Sequence, residues 1–267
     1  MTEFSIKILS AAGQIKASDG APGFASLVYA GTYEPGDRIV ITPARDGVYA
    51  WLQVDEVLGR SLVYLTGEVA YEVPFKEKRY NLSDKAFTGD RHYLFVRQAM
   101  AEEITQYRNL ALNVCDQHNV AHLYPHATAN VETRGEAVFF ACNAIDGICE
   151  NRNHGVWPYQ SWGINRQADA ELTVDFGREV EVDKLAVIIR ADFPHDSWWT
   201  QAKVRFSDGS EMILPLEKSR FAQFFAFEKK RIRWIKFGEL IRADDPSPFP
   251  ALAQLEVYGS DLPEGAR

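Results

Sequence analysis

Cysteine and methionine are both scarce in this chain, at three each in 267 residues. The cysteines, Cys115, Cys142 and Cys149, are odd in number and form no Cys-x-x-Cys pair. That excludes a disulfide scaffold or a cysteine-built zinc ribbon, and the thiols read as reduced and structural. A Cys142–Cys149 bridge would need an oxidising compartment. Basic residues are also in deficit. Lys and Arg number 29 against 37 Asp and Glu, a net charge of −8. Nucleic acid and anionic membrane surfaces both call for basic patches, so neither is expected as the main partner. The local basic run Lys229, Lys230, Arg231 and Arg233 reads as a solvated strand edge. No apolar run approaches the ~20 residues a membrane helix requires. The opening Met-Thr-Glu-Phe-Ser-Ile-Lys has no basic region followed by an apolar one, so no signal peptide is expected and the location reads as cytoplasmic. Recognisable enzyme motifs are missing too: there is no Gly-x-Ser-x-Gly elbow, Walker loop, Gly-x-Gly-x-x-Gly or His-Glu-x-x-His. Ser161 and Ser197 lack a nucleophile context. Asp192 with Asp196, or Asp146 with Glu150, are acid–base pairs of the kind 37 acidic residues offer by chance.

What is present is ordinary globular composition, 46% hydrophobic and 25% charged, with length for one large or two ordinary domains. Residues 1–97 alternate apolar and polar at 38–42, 48–54, 61–66 and 92–96, with turn signals Pro35-Gly36-Asp37, Arg45-Asp46-Gly47 and Thr88-Gly89-Asp90 between them. Short strands at such spacing indicate a sandwich or jelly roll. Over 98–113, Met100, Ile104, Tyr107 and Ala111 recur at a helical interval, predicting the one long helix. Strands are expected again at 171–175, 180–190, 202–206, 210–215, 223–228, 231–237 and 251–258, with a hairpin turn at Ser207-Asp-Gly-Ser210. The tail Asp261–Arg267 is expected to fray. The reading is therefore mainly β: two β-sandwich (jelly-roll-like) domains, 1–97 and 123–260, joined by one α-helix in a 98–122 linker.

The densest signal lies between Tyr124 and Trp162. It reads Tyr-Pro-His-Ala-Thr-Ala-Asn at 124–130, Ala-Ile-Asp-Gly at 144–147, then Asn151, Asn153, His154, Trp157, Pro158, Tyr159 and Trp162. Turn formers beside aromatics, with no helical or strand period, describe a long polar loop whose rings pack or bind something. The Ala-Thr-Ala-Asn start, Ala-Ile-Asp-Gly, the Trp-bearing loop and the Leu-Thr-Val-Asp-Phe-Gly strand at 172–177 occur in that order. Over residues 123–260 this resembles the galactose-binding-like β-sandwich of coagulation-factor type C (discoidin) domains and bacterial carbohydrate-binding modules. The resemblance implies non-catalytic binding of a mono- or oligosaccharide and, at the Asp146 loop, a structural Ca²⁺.

The residues themselves support a sugar site in two loops. Trp157 and Tyr159 offer flat rings for C–H faces, and Asn153 offers an amide for hydroxyls. Trp162, beside Gly163 and just before a strand, is the ring of this loop most suited to the core. In Arg190-Ala-Asp-Phe-Pro-His-Asp-Ser-Trp-Trp199, Arg190 sits at a strand end with Asp192, His195 and Trp198 following. Guanidinium, carboxylate and imidazole beside aromatics compose a polyol pocket, and Arg190 suits an acidic sugar. Asp146 and Asn151 are the tentative Ca²⁺ ligands, against an Asx-turn network in the same loop. His118, His122 and His126, four apart, lack a helical face for zinc and read as linker histidines. Two other functions stay open: a glycan-active hydrolase or lyase with its site at the domain interface, and a protein–protein interaction or assembly module whose loop aromatics bury a partner, an oligomer being one form of it.

Overall fold

The computed structural model describes residues 3–150, 155–191 and 197–262. Its strands are β1 (Glu3–Leu9), β2 (Ile15–Pro22), β3 (Phe24–Tyr29), β4 (Arg38–Pro43), β5 (Val48–Gln53), β6 (Ser61–Leu65), β7 (Val69–Glu72) and β8 (His92–Gln98). After a short helix α1 (Ala101–Thr105) come β9 (Arg108–Asn109), β10 (Leu123–Tyr124), β11 (His126–Ala129) and β12 (Trp162–Gly163). The long strands β13 (Leu172–Ile189), β14 (Trp199–Phe206), β15 (Glu211–Pro215), β16 (Gln223–Arg242) and β17 (Ala251–Asp261) complete the chain.

The N-terminal strands form two antiparallel sheets, β2-β1-β4-β7 and β10-β6-β5-β8-β3. The inward residues of β1, Phe4, Ile6 and Ile8, meet Ala50, Leu52, Leu94 and Val96 of the facing sheet in one core. The pattern follows from period-two alternation, which puts every second side chain on the same face. The C-terminal strands run β12-β17-β13-β16-β14-β15, with β11 joining β13 and β9 joining β17. Their core collects Leu172, Val174, Phe176, Val180 and Val182 of β13 with Ile235 and Phe237 of β16 and Leu255 and Val257 of β17. The Ser207–Ser210 turn joins β14 to β15, with Gly209 at φ 87° and Phe206 N–H bonded to Ser210 O.

The mainly β architecture stands as read, but the long helix does not. Only Ala101–Thr105 is helical, and Gln106 is extended at ψ 136°. Arg108 and Asn109 instead pair with Gly259 and Tyr258 of β17. Leu110 and Ala111 enter the C-terminal core, whereas Cys115 and Val120 enter the N-terminal one. A single helix has one apolar stripe and cannot serve two cores at once, so tertiary pairing overrides the weak propensity of a short helix. Gly259 permits the approach of the neighbouring strand, since a Cβ there would stand 2.0 Å from Glu181 O. The 171–175 and 180–190 segments are one strand broken by a bulge, where Gly177 adopts φ 66° against the Tyr124 ring. The 223–228 and 231–237 segments likewise merge into β16. The basic run lies where β16 pairs with β13 alone, since the β14 ladder begins only at Ile235, and it is largely exposed there as expected, with Lys229 paired to Glu181 at 2.8 Å.

The start of the tail is the second correction, while residues 263–267 lie outside the described ones. Asp261, expected to fray, is 2% exposed and ends β17. Its carboxylate accepts hydrogen bonds from Arg178, Arg108 and Tyr49, linking β17, β13 and β9 to β5 of the N-terminal sheets. Burial opposes its ionisation, yet the two guanidiniums outweigh that and hold its pKa below the ordinary carboxylate value.

Candidate functional site

A cleft of about 290 Å³ opens where β13 ends, β12 passes and β17 begins. Strand pairing brings these points together: Gly163 lies opposite Ala251, and Arg190 N–H donates to Ala251 O at 2.9 Å. Phe249 and Pro250, just ahead of β17, therefore stand beside Arg190. The third wall is the 133–139 segment, held by Ser161 N–H donating to Val138 O at 3.0 Å. Trp162 points inward, fully buried, and its Nε1 donates to Val131 O at 2.9 Å. Because side chains alternate, Gly163 faces the cleft wall. A Cβ at Gly163 would lie 2.7 Å from Thr133 Oγ1 and 3.1 Å from Phe139.

The lining combines the rings of Phe139, Tyr159 and Phe249, the guanidiniums of Arg134, Arg166 and Arg190, and the polar side chains of Thr133, Ser161 and Asn165. Arg166 stacks over Phe249 with its guanidinium carbon 4.5 Å from the ring centre, and Arg134 lies 5.4 Å over Phe139. Arg134 also makes two hydrogen bonds to Glu136, at 2.6 and 2.7 Å. Arg190 is 4% exposed and donates to Tyr159 O. None of the described lining residues is Asp or Glu. Three of them hold left-handed backbone without being glycine: Arg134 at φ 56°, Asn165 at 48° and Arg166 at 61°. Such conformations are costly for residues with a Cβ and gather at binding sites when surrounding contacts enforce them. Here Asn165 N–H donates to Thr133 Oγ1 at 3.0 Å, fixing one such turn to the opposite wall.

Tyr159 is shared with a second, shallower groove of about 500 Å³. This groove is lined by Gly155, Val156 and Trp157 from the C-terminal half and by Lys76, Arg79, Tyr80, Leu82 and Asp84 from the N-terminal half. Trp157 is 38% exposed, so its ring is available at the groove wall. Of the residues expected to bind ligand, the structure thus brings Tyr159 and Arg190 into the cleft and Trp157 into the adjoining groove. Trp198 is half-buried against the C-terminal core, and the described walls of neither cavity include it. Asn153, Asp192 and His195 lie outside the described residues, as does Asn151.

Asp146 is enclosed by N–H donors. Its Oδ1 accepts from Ile148 N–H at 2.8 Å and Gln254 Nε2 at 2.7 Å, and Oδ2 accepts from Gln160 Nε2 at 2.9 Å. The Ile148 bond closes an Asx turn, the alternative to a cation in this loop. Burial pushes the Asp146 pKa up to about 7 despite these donors. The three spaced histidines take separate partners: His118 pairs with Glu132 at 3.2 Å, His126 with Asp116 at 2.7 Å, and His122 with Thr66 at 3.2 Å. Cys115, Cys142 and Cys149 are all free thiols.

Sequence reading missed Phe139, Phe249, Arg134, Arg166, Thr133, Ser161 and Asn165 as cleft residues. Phe249 had a signal, since an aromatic between Pro248 and Pro250 is displayed on a stiffened loop. The arginines had none, because their positive φ belongs to the folded backbone.

No protein-family model and no curated protein matches the chain. Among solved structures, it is similar to a Streptococcus pneumoniae fucose binding module at 14% identity and TM-score 0.43, covering 58% of this chain and 99% of that one. The family 32 carbohydrate-binding module from C. perfringens NanJ, in complex with galactose, is 23% identical with TM-score 0.38, covering 49% of this chain and 91% of that one. Chitosan-binding module 1 from a Paenibacillus sp. IK-5 chitosanase/glucanase is 19% identical with TM-score 0.37, covering 58% of this chain and 100% of that one.

Proposed function

We propose that this protein binds carbohydrate without transforming it, through the cleft between Phe139, Tyr159 and Phe249, and that the sugar carries an anionic group. The observation that carries the reading is the lining: three aromatic rings and three guanidiniums around about 290 Å³, in a chain whose net charge is −8. That volume is at the small end of ligand clefts, which run from ~300 to ~1,000 Å³, and suits one sugar residue. Ring faces stack on C–H faces of a pyranose, while Thr133, Ser161 and Asn165 offer groups for its hydroxyls. Planar guanidiniums favour a carboxylate or sulfate over a neutral hydroxymethyl group. The shared Tyr159 would let a longer glycan continue past Trp157 in the neighbouring groove. Most glycoside hydrolases act through two carboxylates facing the substrate, and the described lining contributes none.

The test is calorimetric titration with uronates, sialic acid, sulfated sugars and their neutral counterparts at two salt concentrations. We expect an anionic sugar to bind more tightly than its neutral parent and to weaken with salt. Phe249→Ala and Arg166→Ala, each checked for an unchanged melting temperature, should each weaken binding by about tenfold, the equivalent of losing one stacked ring or charge-assisted contact. Failure of every sugar at millimolar concentration, or unchanged affinity in both variants, would overturn the assignment.

A further inference from the structure

The N-terminal sandwich contains a second cluster, remote in sequence from the cleft. Asp55 and Glu56 lie one residue beyond the end of β5, after Val54, and His92 opens β8, the strand paired with β5. One ligand atom from each of the three lies within 4.8 Å of the others. Asp55 is 1% exposed and firmly oriented: Oδ1 accepts from Val57 N–H and Oδ2 from Phe87 N–H, both at 2.8 Å. Glu56 is exposed, with Oε2 accepting from Tyr93 N–H at 3.0 Å.

His92 supplies the independent observation. It is 2% exposed, and neither Nδ1 nor Nε2 has a hydrogen-bond partner. Its ring packs in a three-ring cluster with Tyr33, at 4.2 Å, and Tyr29, at 5.9 Å between centres. The buried Tyr33 hydroxyl beside it is also without a partner. Buried imidazole nitrogens are expected to be hydrogen-bonded or to ligate a metal, since leaving both bare forfeits their solvation for nothing. Hydrogen bonds to backbone amides do not exhaust a carboxylate, which has about four lone-pair sites.

We propose that Asp55, Glu56 and His92 bind a divalent first-row transition metal of the zinc class. One imidazole and two carboxylates form a mixed nitrogen–oxygen donor set that suits Zn²⁺ or Co²⁺, whereas Ca²⁺ takes oxygen donors throughout. Bonds of about 2.0–2.2 Å draw ligand atoms closer than the present spacing. The exposed Glu56 side chain has the freedom to make that movement, while Asp55 stays anchored by its two amides. The amides of Val57 and Phe87 would then act as the outer contacts that orient a ligating carboxylate. The metal would clamp the end of β5 to the start of β8.

The proposal is tested on the full chain, stripped of metal by dialysis and titrated with Co²⁺ and then Zn²⁺, following Co²⁺ visible absorption and calorimetry. We expect one Co²⁺ per chain, displaced by Zn²⁺. Glu56→Gln should weaken it by about tenfold or more, and His92→Gln should abolish it. Cys149→Ser and His118→Ala should bind as the parent does. Glu56 is exposed and its replacement keeps the volume, so Glu56→Gln decides the matter even where His92→Gln fails to fold. No stoichiometric Co²⁺ or Zn²⁺ binding at micromolar metal, or parental affinity in Glu56→Gln, would overturn the site.

Discussion

Replacing Asp261 by Asn should destabilise the protein more than any other isosteric change to a carboxylate outside the cleft. The Asp261 side chain is fully buried and that of Arg178 is 3% exposed. Oδ1 accepts from Arg178 Nε at 2.7 Å and Tyr49 Oη at 2.6 Å, and Oδ2 accepts from Arg108 Nη2 at 2.6 Å and Arg178 Nη2 at 3.1 Å. Arg178 also lies over the Tyr49 and Tyr64 rings of the N-terminal strands β5 and β6, so one carboxylate is the counter-ion of two guanidiniums where the N- and C-terminal sheets meet. An asparagine carries no charge and turns one acceptor into a donor facing donors. Breaking a buried pair by removing one partner costs ~3–5 kcal/mol, because the other charge stays buried. At ~2–4 °C per kcal/mol for chains near this size, the melting temperature should fall by roughly 6–20 °C. The sign of the pH effect follows from the depressed pKa of Asp261. Its stabilisation is present above the unfolded carboxylate value of about 3.9 and is lost as pH falls through the lower folded value. Asp261→Asn should therefore flatten the acid limb of the stability profile. Calorimetry of parent and variant from neutral pH to about pH 3 measures both effects. A variant melting within about 2 °C of the parent, with the same acid limb, would refute the reasoning.

Gly163→Ala should abolish sugar binding, because its Cβ would meet Thr133 Oγ1 at 2.7 Å and displace the Thr133–Asn165 contact that shapes the cleft; titration against a confirmed ligand reads this directly. Trp198→Ala should cost about 2 kcal/mol of stability, as a half-buried ring leaves the core, while sugar affinity stays at the parental value; lost binding in a folded variant would place Trp198 in the site after all. Asp146 holds its proton in the native state up to about pH 7, so its contribution to stability falls as pH rises from the unfolded carboxylate value toward 7. Melting temperatures of Asp146→Asn across that window should lack this component, and superimposable profiles would count against it.

The alternation of Leu172, Val174 and Phe176, the Ser207–Ser210 hairpin and the suitability of Trp162 for the core were legible from period and turn chemistry, because they are local properties of the chain. Tyr159 and Arg190 were legible for a related reason: one lies in an irregular aromatic loop, the other at the end of an apolar strand. The tertiary structure alone decided the rest. The short helix at 101–105 stopped where Arg108 and Asn109 found β17, a partner some 150 residues away. Asp261 became a buried counter-ion because Arg108, Arg178 and Tyr49 converge on it from three strands or their flanks. The cleft exists because strand pairing sets Arg190 and Gly163 against Ala251, bringing Phe249 to Arg166 and Phe139 to Arg134. Asp55 and His92 met in the same way, through the β5–β8 ladder. Local sequence encodes which face of a strand is apolar; which distant side chains share a site depends on register and on the crossing of strands, and those are settled only when the whole core packs.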